Sequence, residues 1–172
     1  MVGLSVSNRT LHVESTAVLI GWKYERMAGH DGERPDLDDI LTWNFVRSAR
    51  LIGGRLAGRL GELELNPVHF GVLAFLDRDD EMTSAEIARA VLARPQSIAP
   101  LLDGLESRGL VTRTGARTRG QRNPVRITTD GRAALHAAWV IALEANDLRD
   151  VGLDASESAE LNRLLLKIVR SS

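Results

Sequence analysis

The chain has 172 residues, 44% of them apolar, and a formal net charge of -1. That suits one domain, or one domain with an appended element, and is too apolar for disorder. It has no cysteine, and its four histidines (His12, His30, His69, His136) stand in no metal-ligating spacing. Disulfides, thiolate catalysis and Cys-ligated zinc are therefore excluded, and neither a metal nor a cofactor is expected.

Residues 1–36 form a separate compositional zone. Ser15 to Ala28 could make a short helix carrying Trp22, Tyr24 and Met27. Gly29, Gly32 and Pro35, mixed with Asp31, Glu33 and Asp36, read as a linker. The apolar run Ala17 to Trp22 is far short of the roughly 20 residues that span a bilayer. It also comes too late for a secretory leader. No membrane partner is expected, and the protein is expected to be cytoplasmic.

From Asp36 the pattern is helical. Leu41, Phe45, Ala49, Ile52, Leu56 and Leu60 recur at steps of three and four, one stripe along a long helix. Gly53, Gly54 and Gly58 either weaken that helix or let another approach closely. Asn66-Pro67 reads as the cap and first residue of a second helix, with Val68, Val72, Leu73, Phe75 and Leu76. An acidic turn, Asp77 to Glu81, ends it.

Thr83-Ser84-Ala85-Glu86 has capping-box spacing and starts a short helix to about Val91 or Leu92. Leu92-Ala93-Arg94 is a turn, and Pro95 opens the next helix. There Ile98, Leu101, Leu102 and Leu105 face inward, and Gly109 supplies the C-terminal glycine. Leu110 to Thr114 and Val125 to Thr128 read as a hairpin. A long helix begins near Thr129, and Asp154 to Glu157 is a second box-like start for a last helix with Leu161, Leu164, Leu165 and Ile168.

Charge singles out one stretch. Between Glu106 and Asp130 there is no acid and there are six arginines: Arg108, Arg113, Arg117, Arg119, Arg122 and Arg126. A basic island in a neutral chain concentrates positive potential where one partner can meet it. Its place, directly after a helix and across a hairpin, suits a winged helix-turn-helix gripping a DNA backbone. The competing reading is a solvated arginine-rich loop.

This order of elements resembles the MarR family of bacterial transcription regulators. The residues that carry the resemblance are "LNPVHFGVLAFL" (Leu65 to Leu76), "MTSAEIARAVLARPQSIAPLLDGLESRGLVTR" (Met82 to Arg113) and "RITTDGRAAL" (Arg126 to Leu135). The resemblance implies a mainly α fold with a small β-hairpin wing, a winged helix-turn-helix flanked by long N- and C-terminal dimerisation helices. It divides the chain into an N-terminal extension, 1–36, and a MarR-like domain, 37–172. Within that domain 37–62 and 129–172 would be dimerisation helices and 66–128 the DNA-binding lobe. The terminal stripes are longer than the central unit can cover, so a homodimer is expected.

The family implies a two-fold dimer on a pseudo-palindromic operator in double-stranded DNA, and a small aromatic or phenolic effector. On this sequence the DNA-facing candidates are Ser84, Arg94, Pro95, Gln96, Ser97, Pro100 and Arg113, with Arg117, Arg119 and Arg122 in the wing. Gln96 can bond an adenine edge in two places, and Ser97 a base or a phosphate. Asp103 shares that face. Arg113 and Arg126, on the strands, would touch phosphates or pair with acids, and Arg108 would be structural. Trp22, Trp43 and Phe45 are the candidates for an effector pocket, although such aromatics, Trp139 included, are more often core or dimer contacts.

Two departures from the family pattern stand out. Pro100 lacks a backbone donor inside the recognition helix and is expected to distort its first turns. Arg119-Gly120-Gln121-Arg122 stands where the family has an acidic-x-Arg signature, so Arg119 or Arg122 takes the wing-tip role. The extension with "ERPDLD" (Glu33 to Asp38) is similar to a urate-responsive subgroup, but Gly71 replaces the ligand-binding aspartate expected there. The function expected is a dimeric, sequence-specific regulator, a ligand-responsive repressor. The alternative is a winged-helix protein-interaction module that has lost DNA binding, and Pro100 motivates it. Without a phosphate loop, nucleophile elbow or clustered acid–base pair, catalysis is not expected.

Overall fold

The computed structural model of the chain describes residues 36–113 and 123–171. The 1–35 part of the extension, with Trp22, and the wing residues Arg117, Arg119 and Arg122 lie outside the described residues. The chain divides into two units, Met1–Ser48 and Ala49–Ser172.

In the first unit a 3₁₀ turn, Leu37–Asp39, precedes helix α1, Leu41–Leu60, which runs on into the second unit. The expected helix from Asp36 thus starts five residues later. The Asp36 carboxylate accepts the Asp38 amide at 3.0 Å and holds the chain in the tighter turn.

The second unit holds the rest of the helices: α2 (Pro67–Asp79), α3 (Ser84–Ala90), α4 (Pro95–Ser107), α5 (Thr129–Ala145) and α6 (Ala155–Val169). Strands β1 (Val111–Arg113) and β2 (Val125–Ile127) form an antiparallel hairpin with Thr112 opposite Arg126. Met82 adds an isolated antiparallel bridge to Val125, which ties the entry of α3 to the sheet. One residue of pairing has no periodicity, and nothing in the sequence pattern announces it.

Local signals set the helix starts. Asn66 Oδ1 accepts the Val68 and His69 amides, both at 2.9 Å, and caps α2. Thr83 and Glu86 form the full capping box of α3, and Asp154 and Glu157 that of α6. Thr128 Oγ1 accepts the Gly131 amide at 3.0 Å and caps α5.

The core lies between α2, α3, α4, the hairpin and α5. Leu73, Leu76, Ile87, Ile98, Leu102, Leu105 and Val125 are fully buried in it. Each such side chain contributes about 1.5–3 kcal/mol of transfer free energy. Gly131 marks the closest approach: a Cβ there would overlap the Leu110 carbonyl oxygen and lie 2.8 Å from Ile127 Cγ1. Helix α5 can therefore seat on the hairpin only through a glycine.

Away from this core the long helices are bare. Leu51 on α1, Val140 and Leu143 on α5, and Leu164, Ile168 and Val169 on α6 are exposed. Gly53, Gly54 and Gly58 have no neighbour within 4 Å of where a Cβ would stand. Nothing among the described residues packs closely enough to require them.

His69 gives the fold a pH dependence. Burial, and secondarily the charge of Arg108, lowers its pKa below the ordinary 6.5, and its Nδ1 is buried without a hydrogen-bond partner. The unfolded chain thus binds a proton near pH 6.5 that the folded chain resists. This contribution to stability is intact above that pH and is lost as pH falls through it. His69→Gln should remove that part of the slope in chemical denaturation series on either side of pH 6.5. An unchanged slope would exonerate His69.

Candidate nucleic-acid interface

Helix α4 turns about 100° per residue. With Ile98, Leu102 and Leu105 buried and Leu101 half-buried, the opposite stripe is Gln96, Pro100, Asp103 and Ser107, all exposed. Ser97 stands at the edge of this stripe and is also exposed. The structure therefore brings Pro95, Gln96, Ser97 and Pro100 together on one outward surface at the start of α4.

The N-terminus of α4 is built differently from its neighbours. Helices α2, α3, α5 and α6 each have a side-chain cap, whereas Arg94, at the cap position of α4, makes no capping hydrogen bond. The positive end of the helix dipole thus receives no side-chain oxygen from the cap, although the Arg94 backbone carbonyl accepts the Ser97 amide at 2.9 Å. A phosphate group fits such an end.

Pro100 does not break the helix: α4 runs from Pro95 to Ser107, although at its start the Arg94 carbonyl takes the amide of Ser97, three residues on, where α2, α3, α5 and α6 use the fourth. The donor that Pro100 lacks would have reached the Gln96 carbonyl, in the exposed first turn where water can serve it. The proline ring lies on the exposed stripe, clear of the packed side.

The arginines sort by partner. Arg113 is held by Asp103 at 2.7 Å and by Glu106, and its side chain is only 12% exposed. Of the two roles open to it, pairing with acids is the one seen, and the pair ties β1 to α4. Arg126 likewise meets Glu81 at 2.6 Å. Arg108 donates to the Glu64 carbonyl at 2.7 Å and the Leu63 carbonyl at 3.2 Å, a structural role. Arg78 pairs with Asp79 and Arg132 with Asp77, so both acids of the last turn of α2 are paired.

Two arginines of this lobe have no such partner among the described residues. They are Arg94, in the turn before α4, and Arg89, in the last turn of α3. Both are exposed. Arg89 escaped the sequence reading, which was drawn to the basic island downstream. Its signal was present: Glu86, three residues earlier, is the acid positioned to pair with it, but Glu86 is also the capping-box residue. The Glu86 carboxylate accepts the Thr83 amide and hydroxyl, both at 2.7 Å. Ser84 is exposed at the first position of α3.

Trp43 and Phe45 are 38% and 44% exposed on α1. Two residues apart on a helix, they point in different directions. Trp139 instead meets Phe70 edge-on, ring centroids 4.8 Å apart, and joins α5 to α2. An apolar cleft of about 560 Å³ in the second unit is lined by Ile52, Leu56, Ala142, Leu148, Leu161 and Leu165 among others.

An outward helix with an uncapped, basic-flanked start, set beside a two-stranded wing, is a winged helix-turn-helix. Residues 63–122, which take in α2, α3, α4 and β1, match the sequence model of the MarR family. The match is to this lobe alone. A MarR-family repressor of Mycobacterium tuberculosis, the HTH-type transcriptional repressor Rv2887, is 28% identical over 131 residues, which are 76% of this chain and 94% of the relative. The crystal structure of Rv2887 in complex with salicylic acid superimposes with a TM-score of 0.61 at 27% identity, covering 76% of this chain and 97% of that one. A MarR-family regulator from Rhodococcus sp. RHA1 shares the fold, with a TM-score of 0.71 at 22% identity over 80% of this chain and 97% of that one. The fold class is as expected from sequence: MarR-like, mainly helical, with one hairpin.

Proposed function

We propose that this protein is a homodimeric, sequence-specific DNA-binding transcription regulator, a repressor released by a small aromatic or phenolic ligand. The observation that carries the reading is the start of α4, uncapped and flanked by Arg89 and Arg94, the lobe's two arginines with no acid among the described residues. Helix α4 enters the major groove. Gln96 reads a base edge, while Pro95 and Pro100 pack against the groove wall. Ser84, Arg89, Arg94 and Ser97 hold phosphates, and Arg117, Arg119 and Arg122 extend the contact through the wing. Arg113 acts from inside, fixing the hairpin to α4.

The exposed leucines, isoleucine and valines of α5 and α6 support a second copy as the partner of these helices. Two-fold symmetry then calls for a pseudo-palindromic operator. The salicylic acid complex of the related repressor, and the apolar cleft beside α6, support an aromatic effector. No described helix is long and apolar enough to cross a membrane. The repressor role of the related Rv2887 supports a cytoplasmic regulator without enzymatic activity.

Selection of duplexes from a randomised pool tests the reading. Two inverted half-sites are expected, and a pool that never enriches would refute sequence-specific binding. Gln96→Ala should flatten the preference at one base pair of each half-site, by on the order of 1 kcal/mol or more. An unchanged base preference would remove Gln96 from the readout.

A further inference from the structure

Three residues other than glycine have positive φ among the described residues: Glu64, Asp80 and Leu92. Two are polar. Leu92 is the exception, at φ +53 with its side chain 67% exposed. It follows the last turn of α3, where its amide bonds the Arg89 carbonyl at 3.2 Å and the next amide, of Ala93, reaches the Ala88 carbonyl at 2.9 Å. Such helix ends favour glycine, because a Cβ crowds the left-handed backbone. At the end of α4 the same task falls to Gly109, at φ +71.

Leu92 thus carries two penalties at once, a strained backbone and an apolar side chain in water. Packing among the described residues offsets neither. Its surroundings indicate what does. It stands between Arg89 and Arg94, the exposed arginines without an acid partner among the described residues, at the mouth of the uncapped α4 terminus. A surface with two free cations around one apolar group complements a strand of DNA, whose phosphates flank an apolar sugar.

We propose that Leu92 is a DNA contact, its side chain seated against a backbone deoxyribose between the phosphates held by Arg89 and Arg94. This rests on the DNA-binding function proposed above. The strain is retained because glycine would supply the turn without the contact.

The test separates stability from affinity. Leu92→Gly should raise the melting temperature, because the strain is relieved. The same variant should bind about fivefold more weakly, both to a duplex selected on the wild-type protein and to an unrelated duplex at low salt. Its salt slope should stay unchanged, since no charge is lost. Leu92→Ala, which keeps the strained backbone, should lose affinity without gaining stability, and so excludes a loosened turn as the cause. A more stable Leu92→Gly with wild-type affinity would overturn the proposal. A loss confined to the selected duplex would put the contact on a base and overturn the sugar assignment. Failure of the wild type to bind either duplex would instead overturn the DNA-binding function itself.

Discussion

Gly131→Ala should lower the melting temperature by roughly 10 °C, corresponding to about 3 kcal/mol of overpacking. The added methyl has no room: it would overlap the Leu110 carbonyl oxygen and press on Ile127 Cγ1 at 2.8 Å. The obstacle is backbone, which cannot swing aside as a long side chain can. Gly131 is also the residue whose amide caps on Thr128, and the Thr128 hydroxyl in turn donates to the Gly109 carbonyl at 2.6 Å. Relief therefore requires α5 to move off the hairpin, taking with it the junction of β2 and the end of α4. The wing would be displaced along with the loss of stability. Thermal unfolding followed by circular dichroism measures this directly. A variant melting with the wild type would mean that α5 and the hairpin are not in such close contact.

Replacing Arg89 and Arg94 together by alanine should weaken DNA binding on the order of 50-fold at 0.1 M salt, and reduce the slope of log affinity against log salt by about 2. The reasoning is counterion release. Each phosphate neutralised contributes about 0.9 to that slope, which at 0.1 M salt is close to tenfold in affinity. The other described arginines of the lobe are committed to acids or carbonyls, so their replacement should cost stability before it changes the slope. The melting temperature of the Arg89→Ala/Arg94→Ala variant should stay near that of the wild type, because neither side chain makes a described contact to lose. Equal salt slopes for variant and wild type would remove both residues from the interface.

The helices were legible because their starts are local. Asn66-Pro67, Thr83 with Glu86 and Asp154 with Glu157 each bring cap and acceptor within three residues, and the structure uses them as written. Gly109 was legible for the same reason. Arginine partners were not, because they are set by tertiary neighbours: Arg126 meets Glu81, 45 positions away, and Arg108 meets the carbonyl of Glu64. A run of six arginines thus looked like one basic surface. Of these, the described Arg108, Arg113 and Arg126 are structural bonds, and free charge within the described lobe sits upstream at Arg89 and Arg94. Pro100 leaves α4 unbroken. The rule that proline breaks helices weighs a lost hydrogen bond, and near an exposed helix start that bond matters little. Leu92 could be placed in a turn from sequence, but its positive φ only became visible once the turn was closed.

The most direct test of the central claim is fluorescence anisotropy of the purified protein on DNA from upstream of its own gene, against scrambled DNA, across a salt series. Tight binding to the upstream duplex that weakens steeply with salt, with the scrambled duplex far weaker at every point, is the result expected of a sequence-specific regulator. No binding to either duplex, even at low salt, would contradict it.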